Sequence, residues 1–211
     1  MTLSVPPTAL LSSLYLAPVE YYAALFHAGD ALIEVHDNYR KQSYRNRCVI
    51  GGANGPLALS VPVVKPVEAK GLMKDIRIAE HGDWRHLHWM AIVSAYNSTP
   101  FFQYFEEDFR PFYEKRFTFL HDFNEELRQL ICRFTGIETP VAYTSGYIRE
   151  PLPNTIDLRE TIDPKRPSGY ATPRYYQVFA GKQGFTPNLS IIDLLFNTGN
   201  EARLYLMEKT S

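Results

Sequence analysis

The feature that most constrains the fold is a strand, a helix and a second strand in succession near the start of the chain. Leu10–Ala17 is a short apolar run that Pro18 closes, a pattern typical of a buried strand. Val19–Ala28 has helix-compatible residues and ends at Gly29, and Ala31–Val35 is a second apolar run. Two strands joined by one helix within about 25 residues predict a parallel βαβ unit with a right-handed crossover.

A β-hairpin is predicted after this unit. Tyr44–Ile50 and Leu57–Val63 are strand candidates, and Asn54-Gly55 between them tolerates positive φ. A phosphate-binding loop is the alternative for this Gly-rich connection, but Pro56 closes it and the Lys-Ser/Thr pair of a P-loop is missing. We therefore predict an α/β fold in which the N-terminal βαβ unit and the hairpin form a mixed sheet.

The middle of the chain is predicted to be helical and is rich in aromatic residues. After a short strand candidate at Ile76–Ala79, helices are predicted over Trp84–Asn97, with Asp83 as the N-cap, over Gln103–Lys115 and over Asp122–Phe134. Acidic residues are interspersed among the aromatic residues, which argues against single-stranded nucleic acid as a partner. We interpret the segment as a packed helical subdomain, with an apolar partner surface as the alternative.

A Pro-rich segment, Pro151–Pro173, follows a further strand candidate at Thr139–Tyr143. A stretch of this length without secondary structure is usually a functional lid, an interaction arm or a linker, and a rigid surface loop is the alternative. At 211 residues the whole chain, 1–211, is expected to form a single domain.

Composition narrows the class of protein. A hydrophobic fraction of 45% with a formal charge of −1 is too apolar for a disordered chain and too neutral for a general phosphate-backbone binder. No apolar run approaches the ~20 residues that span a bilayer, and no basic region precedes the short apolar stretch at the start. Two cysteines are too few for a disulfide scaffold. We expect a cytoplasmic globular protein with no nucleic-acid partner and no membrane insertion.

The strongest candidate site is the polar run His36–Arg47, which leaves the second predicted strand. Ligands of α/β sheets bind beyond the carboxyl ends of the parallel strands, and this run is expected there. Arginine and lysine side chains suit phosphate or carboxylate groups, so the run predicts a site for an anionic small molecule such as a nucleotide sugar. A solvated loop and a charged edge strand are the alternative. The candidate binding residues are Tyr39, Lys41, Arg45, Asn46 and Arg47, and the candidates for proton transfer are His36 and Asp37.

Other candidates lie further along the chain. His88 shares a helix face with Trp84 and Ile92, which favours a hydrogen-bonded, partly buried histidine, with a catalytic or substrate-binding role as the alternative. Ser190 and Asp193 have the spacing of a capping box, and they also remain candidate substrate-binding residues with Asn188. No metal site is predicted, because His86 and His88 point to different sides of a helix and no cysteine lies nearby. The residues indicate no particular cofactor.

Four motifs together resemble those of the WbqC-like protein family. They are Tyr39-x-Lys41-x-x-Tyr44-x-Asn46-Arg47, Asn54-Gly55 before Leu59-Ser60-Val61-Pro62, Tyr96-x-x-x-Pro100-Phe101-Phe102, and Phe185-x-Pro187-Asn188-Leu189-Ser190-Ile191-Ile192-Asp193. The resemblance extends from Leu14 to about Asn197, and the last motif is its most specific part. This chain departs from longer members in two places: Ser12-Ser13-Leu14 replaces a Gln-Pro-aromatic signature, and the Pro-rich segment replaces a longer α/β segment.

The resemblance implies a role in bacterial surface-polysaccharide biosynthesis, because family members occur among genes for O-antigen and related polymers. It implies a step on a nucleotide-linked or lipid-linked sugar, and it adds weight to the basic cluster and to the Asn188–Asp193 motif. Our hypothesis is a transferase or ligase that acts on an activated sugar or amino sugar. A non-catalytic scaffold that docks a partner through the aromatic helices or the Pro-rich segment is the alternative. A nucleotide-hydrolysing or nucleotidyl-transferring domain is a third.

Overall fold

The fold is described from a computed structural model, which covers residues 5–65 and 71–208. Residues 1–4, at the start of the chain, therefore lie outside the described residues. The strands are β1 (Thr8–Ser12), β2 (Asp30–Glu34), β3 (Arg47–Ile50), β4 (Leu57–Ser60), β5 (Val141–Tyr143) and β6 (Thr155–Asp157). The helices are α1 (Val19–His27), α2 (Trp84–Tyr96), α3 (Phe102–Glu114), α4 (Leu120–Thr135), α5 (Ala180–Gln183), α6 (Ile191–Thr198) and α7 (Ala202–Met207).

The predicted βαβ unit is confirmed. β1 and β2 pair in parallel, with Leu10 opposite Leu32, and α1 connects them. β5 adds to the outer side of β2 and β6 to the outer side of β1, both in parallel, so the strand order is β5-β2-β1-β6. β1 is shorter than expected, because the chain leaves the sheet after Ser12 and residues 13–17 form a buried connection to α1.

The α/β class and the hairpin are confirmed, but the expectation of one mixed sheet is wrong in its details. β3 and β4 pair with each other as an antiparallel two-stranded sheet of their own. Later segments of the chain, β5 and β6, flank the central strands, and the hairpin pairs with neither of them. Ile76–Ala79 is not a strand either, since it makes only the isolated bridges Val63–Ile78 and Arg77–Phe119.

The aromatic helical segment is packed, as predicted. Phe102, Phe105 and Phe109 of α3 are buried, and all three rings contact Phe196 of α6. These rings belong to the same continuous core as the side chains of β1, β2 and α1. The aromatic residues thus join the helices to the sheet and leave no extended apolar face on α3. No helix in the described part of the chain is long and apolar enough to cross a membrane.

The Pro-rich segment is not structureless. Thr155–Asp157 forms β6, the neighbour of β1, and directly after it the backbone N–H of Leu158 donates to the Leu10 oxygen at 2.9 Å. Two segments that are distant in the sequence, β1 and β6, therefore present their carboxyl ends side by side.

Candidate functional site

Polar side chains gather where the parallel strands end. The strand order reverses between β1 and β6, because the chain proceeds from β1 through β2 to β5 and then returns to the other side of β1. In open α/β sheets a crevice forms at the carboxyl ends of the strands at such a point. The residues here, which we call the carboxyl-edge cluster, are Ser12, Ser13, Glu34, His36, Asp37, Arg45, His121, Asn124, Thr144 and Arg159.

Glu34 is the buried anchor of the cluster. Its side chain is fully buried at the end of β2, and both carboxylate oxygens accept hydrogen bonds there. Oε1 accepts from the Thr144 hydroxyl at 2.8 Å and from the backbone N–H of His36 at 2.9 Å. Oε2 accepts from the Arg159 guanidinium at 3.1 Å and from the backbone N–H of Ile148 at 2.9 Å. A buried carboxylate with hydrogen bonds to both oxygens fixes the loops around it.

The hydrogen bonds of Thr144 orient the ring of His36. The Thr144 hydroxyl has one proton, and it points to Glu34, because a carboxylate can only accept. The 3.3 Å contact between Thr144 Oγ1 and His36 Nδ1 therefore requires Nδ1 to carry the proton. His36 Nε2 is then the basic nitrogen, and it has no hydrogen-bond partner among the described residues. His36 is half-buried. This arrangement directs the lone pair of Nε2 away from Thr144.

Arg159 ties the strand ends together from the side of β6. Its guanidinium is buried, and besides Glu34 it donates to the carboxylate of Asp157 and to the backbone oxygen of Ile148. Hydrogen bonding to Arg159 lowers the pKa of Asp157. The guanidinium thus bridges the ends of β2 and β6.

Asp37 and Arg45 form a second buried ion pair. Only 6% of Asp37 and 2% of Arg45 are exposed, and both Arg45 Nη2 and the Ser12 hydroxyl contact Asp37 Oδ2. Burial raises the pKa of Asp37, and the neighbouring guanidinium opposes that rise. Asp37 Oδ1 and Arg45 Nε have no hydrogen-bond partner among the described residues. Because buried polar atoms are nearly always paired, two such atoms on one ion pair mark a place where a buried water would find partners.

Ser13 and two side chains of α4 complete the cluster. Ser13 Oγ lies 3.2 Å from His121 Nδ1 and 3.5 Å from Asn124 Nδ2, and Asn124 also donates to the backbone oxygen of Arg45 at 2.9 Å. Burial lowers the pKa of His121. Ser13 is fully buried, so these contacts hold the end of β1 against α4.

The accessible basic residues lie beside this cluster. Lys41 is exposed, and Arg47 donates from Nε to the Ser60 hydroxyl at 3.0 Å across the hairpin. Burial raises the pKa of Tyr39, while the charges of Arg47 and Arg45 oppose the rise, which places the phenol near both guanidinium groups. Arg40 is neutralised by Glu160 and Asp163. The structure therefore pairs Asp37 with Arg45 and places Tyr39 near Arg45 and Arg47, while His36 contacts Thr144 on the other side of the same loop.

The side chains of three other candidate residues form hydrogen bonds with backbone groups. Asn46 donates from Nδ2 to the Val61 oxygen at 2.8 Å. Asn188 accepts from the backbone N–H of Glu20 at 3.0 Å, so it caps the first turn of α1 from a distant part of the chain. Ser190 donates to the backbone oxygen of Leu16 at 2.7 Å and makes no side-chain cap for α6, so the predicted capping box is wrong.

His88 lies in a separate buried network. Its Nδ1 is 3.0 Å from the Tyr15 hydroxyl, which in turn is 2.9 Å from the Tyr113 hydroxyl. Burial lowers the pKa of His88 to about 4, so the ring is neutral at pH 7. The interpretation of His88 as a hydrogen-bonded core histidine agrees with this position.

Asp193 forms a third network. Its Oδ1 accepts from the Tyr96 hydroxyl at 2.9 Å, and its Oδ2 accepts from the Tyr175 hydroxyl at 2.7 Å and from Gln177 at 3.0 Å. Burial raises the pKa of Asp193, and these hydrogen bonds to the carboxylate oppose the rise. Asp193 thereby links α2, α6 and the segment that follows the Pro-rich segment.

Sequence reasoning missed most of the carboxyl-edge cluster outside the basic run. Glu34 had a visible signal, since a carboxylate at the end of an apolar strand needs buried partners. Thr144 follows a predicted strand directly, which is where ligand-facing residues of parallel sheets lie. Ser12, His121, Asn124 and Arg159 carried no comparable signal. The described residues contain no group of three or more His, Cys, Asp or Glu side chains that could hold a metal ion.

Comparison with known proteins gives a family match over most of the chain. The model of the WbqC-like protein family matches residues 13–164 and 168–205. An uncharacterised protein of Mycobacterium tuberculosis (strain ATCC 25618 / H37Rv), Rv1507c, is 28% identical over 233 residues, which cover 94% of this chain and 96% of that protein. No solved structure matches the chain significantly.

Proposed function

The chain belongs to the WbqC-like protein family, and from that premise we propose that it is a transferase or ligase of bacterial surface-polysaccharide biosynthesis. Its substrate would be an activated sugar or amino sugar with an anionic phosphate part. The family's association with surface polysaccharides supports the substrate class, and the carboxyl-edge cluster supports the position of the site.

The observation that carries the proposal is the orientation of His36. Thr144 and Glu34 hold the ring with Nδ1 protonated, so Nε2 can accept a proton. In a transfer reaction the acceptor hydroxyl or amine would give its proton to Nε2 as its oxygen or nitrogen attacks the activated carbon. The bond from that carbon to the phosphate oxygen would break, and the nucleotide would leave with the electron pair.

The basic side chains near His36 fit the charge of such a leaving group. Lys41 is exposed, and Arg47 and Tyr39 lie at the edge of the cluster, where a phosphate could reach them. Asp37 would keep Arg45 in place through the buried ion pair between them. Asp37 thus remains a candidate catalytic residue by position, with its carboxylate committed on one side to Arg45.

Thermal-shift measurements with UDP-, dTDP-, GDP- and CMP-sugars and with ATP test binding. At a ligand concentration 100 times Kd, one of the sugars should stabilise the protein by about 2.7 kcal/mol. Arg47→Ala should remove this stabilisation without loss of the fold. Arg116→Ala is the matched control, since Arg116 is an exposed arginine near Glu80 in the helical part of the chain. If no nucleotide sugar raises the melting temperature, or if both variants behave alike, the proposal fails.

Release of free nucleotide from the stabilising sugar then distinguishes an enzyme from a binding protein. An enzyme should release nucleotide when supplied with acceptors, and His36→Gln should abolish release while the thermal shift persists. Binding without turnover would favour the non-catalytic alternative. Both the aromatic helical segment, at Leu87 and Tyr104, and the Pro-rich segment, at Leu152, have exposed large apolar side chains that would serve that alternative.

A further inference from the structure

A groove of about 760 Å³ lies between α1 and the Pro-rich segment, apart from the carboxyl-edge cluster. One wall is the face of α1 that carries Glu20, Ala23, Ala24 and His27, which follow the i, i+3, i+4, i+7 spacing of one helix side. The other wall comes from residues 158–170, which follow β6. The volume is within the range of about 300–1,000 Å³ that is usual for small-molecule sites.

The body of the groove is apolar. Ala23 and Ala24 are small enough to leave space on α1, and Leu158, Ile162 and Tyr170 face them from the other wall. The Tyr170 hydroxyl donates to the backbone oxygen of Tyr205 at 3.2 Å, so the ring is fixed by α7. Burial raises the pKa of Tyr170 to about 12. A ligand here would therefore remove apolar surface from water on two sides.

The charged residues of the groove are mainly acidic. Glu20 is only 8% exposed, and its Oε2 accepts from the Ser168 hydroxyl. Glu208 lies close enough to Tyr170 for its charge to add to the rise in the pKa of that phenol. Among the described lining residues, Arg166 is the one Lys or Arg, so the two glutamates outnumber it. An apolar groove with an excess of carboxylates is complementary to a cation that carries an apolar body.

We propose that this groove binds a small molecule with an apolar chain and a primary amine, whose ammonium group pairs with Glu20 and Glu208. The apolar chain would lie between Ala24 and the side chains of Leu158 and Ile162. This inference goes beyond the proposed function and does not depend on it, because the groove and the carboxyl-edge cluster are built from different side chains.

Calorimetric titration with n-octylamine, n-octanol and octanoate tests the proposal with three probes of equal chain length. Octylamine should bind at least tenfold more tightly than octanol, and octanoate should bind most weakly. Glu20→Gln should bring the affinity for octylamine close to that for octanol. Equal affinity for all three probes, or preference for octanoate, would overturn the proposal.

Variants that fill the groove test its location. Ala24→Trp should abolish octylamine binding, whereas Ala53→Trp, in the exposed turn between β3 and β4, should leave it unchanged. If Ala24→Trp does not fold, Thr161→Trp narrows the groove from the opposite, exposed wall and should have the same effect. Binding that persists in a folded groove-filling variant would show that octylamine binds elsewhere. The nucleotide-sugar measurements are independent of either result.

Discussion

At the scale of single residues, Thr144 decides which nitrogen of His36 carries the proton. The hydroxyl gives its hydrogen to Glu34 and accepts from the backbone N–H of Val35 and from His36 Nδ1. A threonine has one donor and two acceptor positions, so this set of contacts uses all of them. The tautomer of His36 thus depends on a residue more than a hundred positions away in the sequence.

Thr144→Val should change the tautomer of His36. Valine keeps the shape of the side chain but cannot accept from Nδ1, so the Nε2-protonated form should gain population. Imidazole ¹⁵N chemical shifts measured at pH 8 report the two tautomers directly. Thr144→Ser keeps the hydroxyl and should behave like the native protein. An unchanged ¹⁵N spectrum in Thr144→Val would contradict the assigned role of Thr144.

His88 should make the protein sensitive to acid. Its pKa is about 4 in the folded protein, compared with an ordinary value of 6.5. The unfolded chain therefore binds an extra proton between these values, and stability falls as the pH drops from 6.5 towards 4. The full effect is about 3 kcal/mol. Urea unfolding across this range should show a flatter pH profile in His88→Gln.

The neighbouring histidine provides the control for this measurement. His86 is exposed on the same helix, so His86→Gln should keep the native pH profile. If His88→Gln and the native protein lose stability in parallel between pH 6.5 and 4, then His88 is not the group responsible.

The sequence predicted the residue types of the site better than their partners. The run His36–Arg47 was identifiable from its charge and from its position after a strand. The ion pairs within the run were not identifiable. Arg40 and Arg45 are the same residue type in the sequence, but the fold gives them different partners. Arg45 is buried against Asp37, while Arg40 reaches Glu160 and Asp163, which are 120 or more positions away. Such pairings depend on the fold of the whole chain.

At the scale of elements, β6 shows why a strand inside the Pro-rich segment is not predictable from the sequence. Thr155–Asp157 has only three residues and lies among prolines, so it has no periodicity to detect. It is a strand because β1 offers an open edge and pairs with it in parallel. By contrast, α1 and β2 were predictable, since each has a continuous local pattern. Elements with a local signal were found, and an element made by a distant partner was not.

Arg40 should hold the wall formed by the Pro-rich segment in place. It contacts Glu160 and Asp163, and Asp163 Oδ1 in turn accepts from the backbone N–H of Lys165 at 2.9 Å. In Arg40→Ala these carboxylates lose their partner, and the wall should open more often. Limited trypsin digestion should then cut after Lys165 several times faster than in the native protein.

The control for this digestion is another exposed arginine with a carboxylate partner. Arg110 pairs with Glu106 on one face of α3, so Arg110→Ala also removes an ion pair, and the bond before Pro111 is not one that trypsin cuts. It should leave cleavage after Lys165 unchanged. Equal cleavage rates in the native protein and in Arg40→Ala would mean that the wall is held by its apolar contacts alone.

At the scale of the whole molecule, the carboxyl-edge cluster and the Asp193 network join different elements. The carboxyl-edge cluster joins the ends of β1, β2 and β6 to α4, whereas the Asp193 network joins α2 and α6 to the chain after the Pro-rich segment. The aromatic side chains fill the space between them as part of one core. The family motif that ends in Asp193 therefore contributes to the assembly of the domain.

This continuity of the core predicts that the chain unfolds as one unit. Trp84 and Trp89 both lie in α2, so tryptophan fluorescence reports on the helices, while far-ultraviolet circular dichroism reports on helices and sheet together. The two signals should give the same urea midpoint, and the van't Hoff and calorimetric enthalpies should agree. If the helices were a separate subdomain, the fluorescence transition would occur at a different urea concentration. Asp193→Asn weakens the link between α2, α6 and Tyr175, so it should lower the common midpoint without separating the two transitions.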